Sequence, residues 1–424
     1  MHQEINRTTL RNGIELISEQ VPHVRTVSCG AWFNTGSRDE DRDKAGISHL
    51  FEHMLFKGTP KRNAFEIARE LEATGGSINA FTSRENVCIY SKTVDENLPT
   101  ASGIISDIIF NSEFPDTELS KEKKVVCEEI RSAEDNPEDY IHDLAGMALW
   151  GDTGLGSPVA GTLESVNGLN RDDLFKFKNL FLESPTVISA AGNISHSELE
   201  KNFSSAFSAL PVRSSPRDNV LPSPRCEIIN SEKEISQSHL CIVFPGISYG
   251  SPERPAASLL DCLLGESMSS RLFQKIREEN GLAYSIFSFT EAYRETGIFG
   301  INFACAPENT LKVISLINEQ LRDLIDNRIS DEEFDFVRSY AKGITLLSAE
   351  NMTNRMGLIA KGVLYNGHHR TIDDIIDELY SVRPEDIRSL SEKFFSSKAS
   401  AAFLHPQNDC LNADEIREAI HETK

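Results

Sequence analysis

The chain has 424 residues, 39% of them hydrophobic and 25% charged, with a formal net charge of −22, and this length predicts two or more domains of about 100–200 residues each. The acidic charge argues against nucleic acid as a partner, because a phosphate backbone requires a basic face, and it favours basic partners instead. No apolar run approaches the roughly 18 residues of a membrane span, and the first twenty residues, with Glu4, Glu15 and Glu19, lack a leader pattern, so we expect a cytoplasmic protein with no membrane partner.

The first predicted element is a β-hairpin around Asn12-Gly13, a dipeptide that favours a type I′ turn. Beyond it, apolar alternation predicts strands and a 3.6-residue apolar period predicts helices, one after the other along the chain. This alternation is typical of a mixed α and β domain. The predicted strands are 26–33, 77–81, 87–93 and 186–191, and the predicted helices are 45–56, 65–74, 101–111, 116–133 and 171–182.

The composition changes at residues 211–225, which are rich in proline and polar residues. Such a stretch cannot build a central element, so it predicts a linker between a domain at 1–210 and a domain at 226–424. The eight cysteines form no C-x-x-C pair and lie mostly in apolar runs. They are predicted to pack as free thiols, with disulfides or thiolate metal sites as the alternative.

The second half repeats the first at an offset of about 213–215 residues. Residues 115–119 recur as 330–334 before a long predicted helix, and the apolar spacing around Phe177 and Phe181 recurs around Leu390 and Phe394. Coincidental amphipathic spacing is the alternative, but two pairs in the same order favour duplication. We therefore predict an α+β fold of two homologous domains, each a mostly antiparallel sheet covered by helices.

The sharpest motif is His49-Leu50-Phe51-Glu52-His53. Residues i, i+3 and i+4 share one face of a helix, so the two histidines and Glu52 project together while Leu50 and Phe51 face the core. Two imidazoles one turn apart can bind one Zn²⁺ and leave Glu52 beside it as a general base, which is the inverted H-x-x-E-H pattern. The alternative is a surface helix with solvated side chains.

A third ligand is expected on the predicted helix 116–133, where Glu122 and Glu129 lie nearly two turns apart on one face. Two carboxylates on that face could approach one metal. The alternative is a solvated acidic stripe, because acidic residues are abundant in this part of the chain. Spacing by itself does not choose between these two interpretations.

Three segments then stand out together: residues 49–59 (HLFEHMLFKGT), 75–82 (GGSINAFT) and 125–130 (VVCEEI). They resemble the pitrilysin family of inverted zincins, specifically its processing-peptidase branch, which includes the mitochondrial processing peptidase beta subunit and small bacterial zinc peptidases. The resemblance extends over essentially the whole chain, including the duplication. It implies a metalloendopeptidase that binds one Zn²⁺ per chain.

The resemblance also implies roles for individual residues. His49, His53 and Glu129 would be the metal ligands, and Glu122 would be the family's auxiliary acid. The reaction it implies is attack of water on a peptide carbonyl, with Glu52 as the general base.

Segment 277–284 (REENGLAY) resembles the family segment whose Arg and Tyr reach across to the active site, here Arg277 and Tyr284. From the residues alone, these are ordinary surface and core side chains. The resemblance also implies that substrate binds along the strand with Asn79 and Ala80, whereas the pattern alone favours a plain hairpin strand. The second half reads LLDCL at 259–263, where the first half has its zinc motif, so only the first domain is expected to hold zinc.

In the family, two bowls of about this chain's size enclose the substrate, so the resemblance implies a dimer. A homodimer is preferred over a heterodimer with a related subunit, because the zinc motif and the Arg/Tyr segment are both present. The expected substrates are peptides or presequence-like unfolded segments, with basic peptides favoured by the acidic charge. Two alternatives stay open: a non-catalytic peptide-binding or assembly subunit of the same family, and a structural zinc site.

Overall fold

The computed structural model describes residues 4–211, 222–407 and 411–421. The predicted linker at 211–225 therefore lies largely outside the described residues, and so does Cys410. The chain forms two compact units that do not follow chain order. The first unit consists of the chain up to Arg131, the chain from Ser157 to the linker, and Leu347–Ile372. The second unit consists of Ser132–Gly156, the chain from the linker to Leu346, and the chain from Asp373 onward.

The first half of the chain alternates strands and helices as the sequence pattern predicts. Several helices begin at a capping box, in which an N-cap side chain and a residue three positions later satisfy each other's backbone N–H groups. The elements are β1 (Glu4–Thr9), β2 (Glu15–Gln20), β3 (Thr26–Phe33), α1 (Ile47–Leu55), α2 (Ala64–Glu72), β4 (Ser77–Thr82), β5 (Val87–Val94), α3 (Leu98–Asn111), α4 (Asp116–Asp135), α5 (Pro137–Trp150), α6 (Leu163–Gly168), α7 (Arg171–Glu183), β6 (Thr186–Gly192) and α8 (His196–Phe207).

The second half repeats this order, with two π-helical turns after its first helix. Such turns insert a residue into the helical ladder and change the direction of the side chains. The elements are β7 (Ile228–Lys233), β8 (Ser238–Pro245), α9 (Arg254–Asp261), the π-turns Cys262–Glu266 and Phe273–Glu278, β9 (Ala283–Ala292), β10 (Gly297–Cys305), α10 (Thr310–Asp326), α11 (Asp331–Ser348), α12 (Met352–Asn366), α13 (Ile372–Ser381), α14 (Pro384–Phe395), β11 (Ser400–Pro406) and α15 (Ala413–His421).

The two sheets have the same topology. The strand order is β1-β2-β6-β3-β5-β4 in the first sheet and β7-β11-β8-β10-β9 in the second. Apart from the additional β1, each strand has a counterpart in the same place, and the same pair is parallel in both sheets, β2 with β6 and β7 with β11. The remaining pairs are antiparallel. The predicted α+β fold and its internal duplication are therefore confirmed.

One helix from each half of the chain packs on the sheet that the other half forms. Helix α5 belongs to the first half by sequence, yet its Leu149 and Trp150 are buried together with side chains of β8 and β11. Its counterpart α12 belongs to the second half, yet Ile359 and Val363 are buried together with side chains of β2, β3, β5 and β6. The exchange is reciprocal, because α5 and α12 occupy equivalent places in the two repeats.

The β1–β2 hairpin has a longer turn than the sequence predicts. The strands pair as far as Thr9 and Glu15, which leaves residues 10–14 as the loop. Within this loop only Gly13 has a positive φ, of 85°, whereas a type I′ turn requires positive φ at both central residues. The type I′ prediction is therefore wrong. Asn12 instead donates hydrogen bonds of 2.8 Å to the carbonyls of Phe207 and Leu210, which hold the loop on the end of α8.

The seven cysteines of the described chain are free thiols, and six of them are buried. Burial raises the pKa of the Cys29 thiol to about 12, so this side chain stays protonated and packs as a small apolar group. The structure agrees with the predicted structural role of the cysteines. Among the described helices, none combines the length and the apolarity that crossing a bilayer would require.

Candidate metal centre

Helix α1 presents two chemically different faces. Leu50, Phe51, Met54 and Leu55 are fully buried in the core of the first unit. The side chains of His49 and His53 lie on the other face and keep 21% and 19% of their surface exposed. The apolar face fixes the helix on the core, and the i, i+4 spacing then brings the two imidazoles side by side, with ring centroids 4.7 Å apart.

Helix α4 adds a carboxylate to the two imidazoles. Glu129 Oε2 lies 3.9 Å from His49 Nε2 and 3.5 Å from His53 Nε2. One ligand atom from each of the three side chains lies within 4.8 Å of the others. Tetrahedral zinc with bonds of about 2.0–2.1 Å needs neighbouring ligand atoms roughly 3.3 Å apart, so the three side chains fit this metal after small rotations.

Glu122 lies behind His53 and contributes no atom to this group of three. Its Oε2 is 3.2 Å from His53 Nδ1, and its Oε1 is 2.8 Å from Lys57 Nζ. A His53 ring that donates from Nδ1 to Glu122 keeps Nε2 as the free acceptor on the side of Glu129, which is the tautomer that binds a metal. Of the two carboxylates that spacing placed on one face, only Glu129 reaches the candidate metal position.

His49 is also in a form suited to a metal. Its Nδ1 is buried and has no hydrogen-bond partner within the described residues, while its Nε2 lies on the side of Glu129. Burial, reinforced by the neighbouring His53, lowers the pKa of His49 to about 4. The ring is therefore neutral at pH 7, as a ligand must be.

Glu52 lies between the two histidines in sequence and is held by a strand. Thr82, the last residue of β4, donates a hydrogen bond of 2.6 Å to Glu52 Oε2. Burial raises the pKa of Glu52, and the bond from Thr82 opposes this rise. A carboxylate that is partly withdrawn from water and fixed by one donor is suited to accept a proton.

The remaining predicted residues lie on β4, on the second π-turn and on β9. Asn79 and Ala80 are on β4, an edge strand of the first sheet, where they pair with Tyr90 and Ile89 of β5. Arg277 lies on the second π-turn of the second unit. Its guanidinium is 4.7 Å from the ring centroid of Tyr284, and Tyr284 is 76% exposed at the start of β9.

Sequence reasoning assigned no role to Lys57 and Thr82. Lys57 follows the zinc motif by four residues, and Thr82 ends a strand that is distant in the sequence. Their contacts with Glu122 and Glu52 depend on how α1 packs against α4 and β4. No local pattern carries that information.

Comparison with known proteins agrees with this fold. The sequence matches "Insulinase (Peptidase family M16)" over residues 15–163 and "Peptidase M16 inactive domain" over residues 168–340. An uncharacterized zinc protease of Bacillus subtilis is 37% identical over 406 residues, which covers 96% of this chain and 99% of that protein. This chain therefore belongs to peptidase family M16, the family of pitrilysin and insulinase.

Solved structures show the same fold at lower identity. A protease from Helicobacter pylori has a TM-score of 0.87 at 20% identity and covers 96% of this chain and 100% of its own. A peptidase M16 inactive domain from Pseudomonas fluorescens has a TM-score of 0.88 at 19% identity, again with 96% and 100% covered. The second title uses the words inactive domain, as does the family model that residues 168–340 of this chain match.

Proposed function

We propose that this chain is a zinc-dependent endopeptidase whose metal ligands are His49, His53 and Glu129. The convergence of one ligand atom from each of these side chains supports the proposal, together with the placement of Glu52 on the same helix face. Structural zinc sites usually close with four protein ligands, often cysteines. Three N/O ligands leave a coordination position open, which is what a catalytic site needs.

Zinc bound at this site would supply a Lewis acid that lowers the pKa of a water molecule from 15.7 toward about 7 and polarises a carbonyl. Glu52 performs the proton transfer. With Oε2 held by Thr82, its Oε1 takes the proton from the water that attacks the peptide carbonyl and then delivers it to the leaving amine. Glu122 fixes the ring of His53 through Nδ1 throughout these steps.

The second unit and the edge strand complete the proposal. Tyr284 and Arg277 donate hydrogen bonds to the oxyanion that forms at the attacked carbonyl. The peptide adds to the edge strand β4 at Asn79 and Ala80 through backbone hydrogen bonds, so that recognition is largely independent of side chains.

Substrates are peptides or unfolded presequence-like segments, with basic ones favoured by the acidic charge. The chain acts in the cytoplasm as a homodimer, and a heterodimer with a related subunit is the alternative assembly.

A second candidate function is a non-catalytic peptide-binding or assembly subunit. The observation that favours it is the match of residues 168–340 to a family model described as an inactive domain. Such a subunit would keep the fold and the peptide-binding strand without turnover.

The test compares the purified wild type with Glu52→Gln, and uses Glu128→Gln as the control, because Glu128 is an exposed acid next to Glu129 on α4. Zinc content and cleavage of a quenched basic peptide are measured with and without a chelator. We expect one zinc per chain in all three proteins and a fall in turnover of about 10²–10⁴ for Glu52→Gln alone.

Two results would contradict the proposal in different ways. If the wild type binds zinc and cleaves no member of a broad peptide library, the non-catalytic function replaces the peptidase. If the wild type does not hold zinc, the metal centre itself is wrong.

A further inference from the structure

The N-terminus of helix α1 cannot cap itself. Its N-cap is Gly46, with φ +86°, and a Cβ at this position would lie 2.4 Å from the carbonyl oxygen of Ala160. Only glycine fits there, and glycine has no side-chain oxygen to accept from the first N–H groups of the helix. These N–H groups need partners from elsewhere, because the first turn of any helix leaves its donors unsatisfied.

Glu40 supplies those partners from the segment between β3 and α1. Its Oε2 accepts a hydrogen bond of 2.7 Å from Gly46 N, and its Oε1 accepts one of 2.7 Å from Ser48 N. One carboxylate thus spans the N-cap and the second helical residue. Its charge also lies at the positive end of the helix dipole, where an anion is stabilised.

The bonded N–H groups lie next to the proposed metal ligands. Ser48 directly precedes His49, and α1 is only nine residues long, so opening of the first turn would release His49 from its place beside His53. A metal site needs its ligands held within about 0.5 Å of their final positions. The proposed general base Glu52 follows on the same face one turn later.

We propose that Glu40 is a positioning residue for the metal centre: by bridging Gly46 and Ser48 it holds the first turn of α1 formed before any metal binds. This inference rests on the proposed zinc peptidase function. Burial raises the pKa of Glu40 to about 7. That shift is consistent with a carboxylate withdrawn from water, and the geometry of its two bonds carries the argument.

The first experiment compares Glu40→Gln with a cap variant distant from the site. Ser195→Ala removes the N-cap side chain of α8, whose Oγ accepts from Glu198 N at 3.3 Å. Zinc affinity is measured by competition with a chelator at a temperature well below the unfolding transition of each protein. Gln has the size of Glu, but only its amide oxygen can accept a hydrogen bond from a backbone N–H group, whereas both carboxylate oxygens of Glu can. We expect at least a ten-fold loss of zinc affinity for Glu40→Gln and less than a two-fold change for Ser195→Ala.

The second experiment needs no variant. Hydrogen exchange is followed at the amides of Gly46 and Ser48 in metal-free wild type, before and after zinc is added. We expect both amides to be protected already without metal, because Glu40 is their partner in either state. Protection that arises only with zinc would overturn the proposal, and this measurement decides the question if Glu40→Gln does not fold.

These outcomes separate the inference from the function on which it rests. If wild type binds zinc, and Glu40→Gln binds it equally well while losing stability as Ser195→Ala does, Glu40 is a structural cap and the inference is wrong. If wild type does not bind zinc, the proposed function fails whatever the exchange data show.

Discussion

The two sheets of this protein share one topology, but within the described residues the proposed metal ligands accompany only the first sheet. Where α1 has His49, Glu52 and His53, the second half has LLDCL at residues 259–263, and there α9 ends and a π-turn begins. Helices α4 and α11 begin at Asp116 and Asp331.

Counted from these starts, Val337 stands where Glu122 would be and Ile344 where Glu129 would be. Val337 is buried, and Ile344 packs on the apolar core of the second unit. The strands and helices of both halves follow from apolar periodicity, which survived the duplication. The candidate chemistry depends instead on five polar side chains whose positions the apolar periodicity does not specify. They are His49, Glu52, His53, Glu122 and Glu129.

The largest effect that separates the two units is expected for Tyr284→Phe in the second unit. Loss of the proposed oxyanion donor should lower turnover by about 10²–10³, and the zinc content should stay unchanged because the proposed ligands lie in the first unit. Peptide cleavage and metal analysis measure the two quantities, with Tyr380→Phe as the control for loss of an exposed phenol. Unchanged turnover in Tyr284→Phe would restrict the chemistry to the first unit.

Zinc itself should distinguish the units by hydrogen exchange. At a free concentration of one hundred times its Kd, a ligand stabilises the state that binds it by about 2.7 kcal/mol. For amides that exchange by local opening, we expect zinc to slow hydrogen exchange in peptides from α1 and α4. We expect zinc to leave the exchange of residues 259–263 unchanged. Equal protection in both places would mean that zinc binds outside the site, or that it stabilises only the whole fold.

The Lys57–Glu122–His53 contacts have no counterpart on α11 and should affect zinc binding alone. Glu122→Gln should weaken zinc affinity about 10–100-fold, as loss of a ligand's hydrogen-bond partner does. Lys57→Met should have a smaller effect, and the double variant should match Glu122→Gln, because both residues act through the same ring. Lys121→Met is the control, since Lys121 pairs with Glu118 at 2.6 Å on the exposed side of α4. Additive losses would show that Lys57 acts independently of Glu122.

The last prediction leaves the candidate site untouched and concerns Asp261, which lies in the second half's counterpart of the zinc motif. Burial raises the pKa of Asp261 from 3.8 to about 6, so the folded protein holds this proton longer than the unfolded chain. Stability should therefore fall as pH rises through this window.

Asp261→Asn should remove this part of the pH dependence of stability, a difference of about 3 kcal/mol for a shift of this size. Urea unfolding at pH 4, 5, 6 and 7 measures it, with the exposed Asp172→Asn as control. Parallel curves for wild type and Asp261→Asn would contradict the expectation.

Much of the architecture could be predicted because it depends on local pattern. The faces of α1, the predicted strands and the repeat all follow from the spacing of apolar residues. The hairpin type could not be predicted, because the contacts of Asn12 with the end of α8 are tertiary. The sequence also could not distinguish Glu122 from Glu129, since both lie on one helix face and only the packing of α1 decides which of them lies beside the imidazole Nε2 atoms.

The exchange of α5 and α12 has a consequence for how such a protein can arise and be divided. A fragment ending at the linker would lack α12 and expose Trp32 and Val187 of its sheet to water, and the complementary fragment would lack α5. Neither half is thus a self-sufficient folding module. A primordial protein of half this length would have needed a second copy to cover its sheet, as a helix-swapped dimer, and joining the two copies end to end would have made that dimer a single covalent chain.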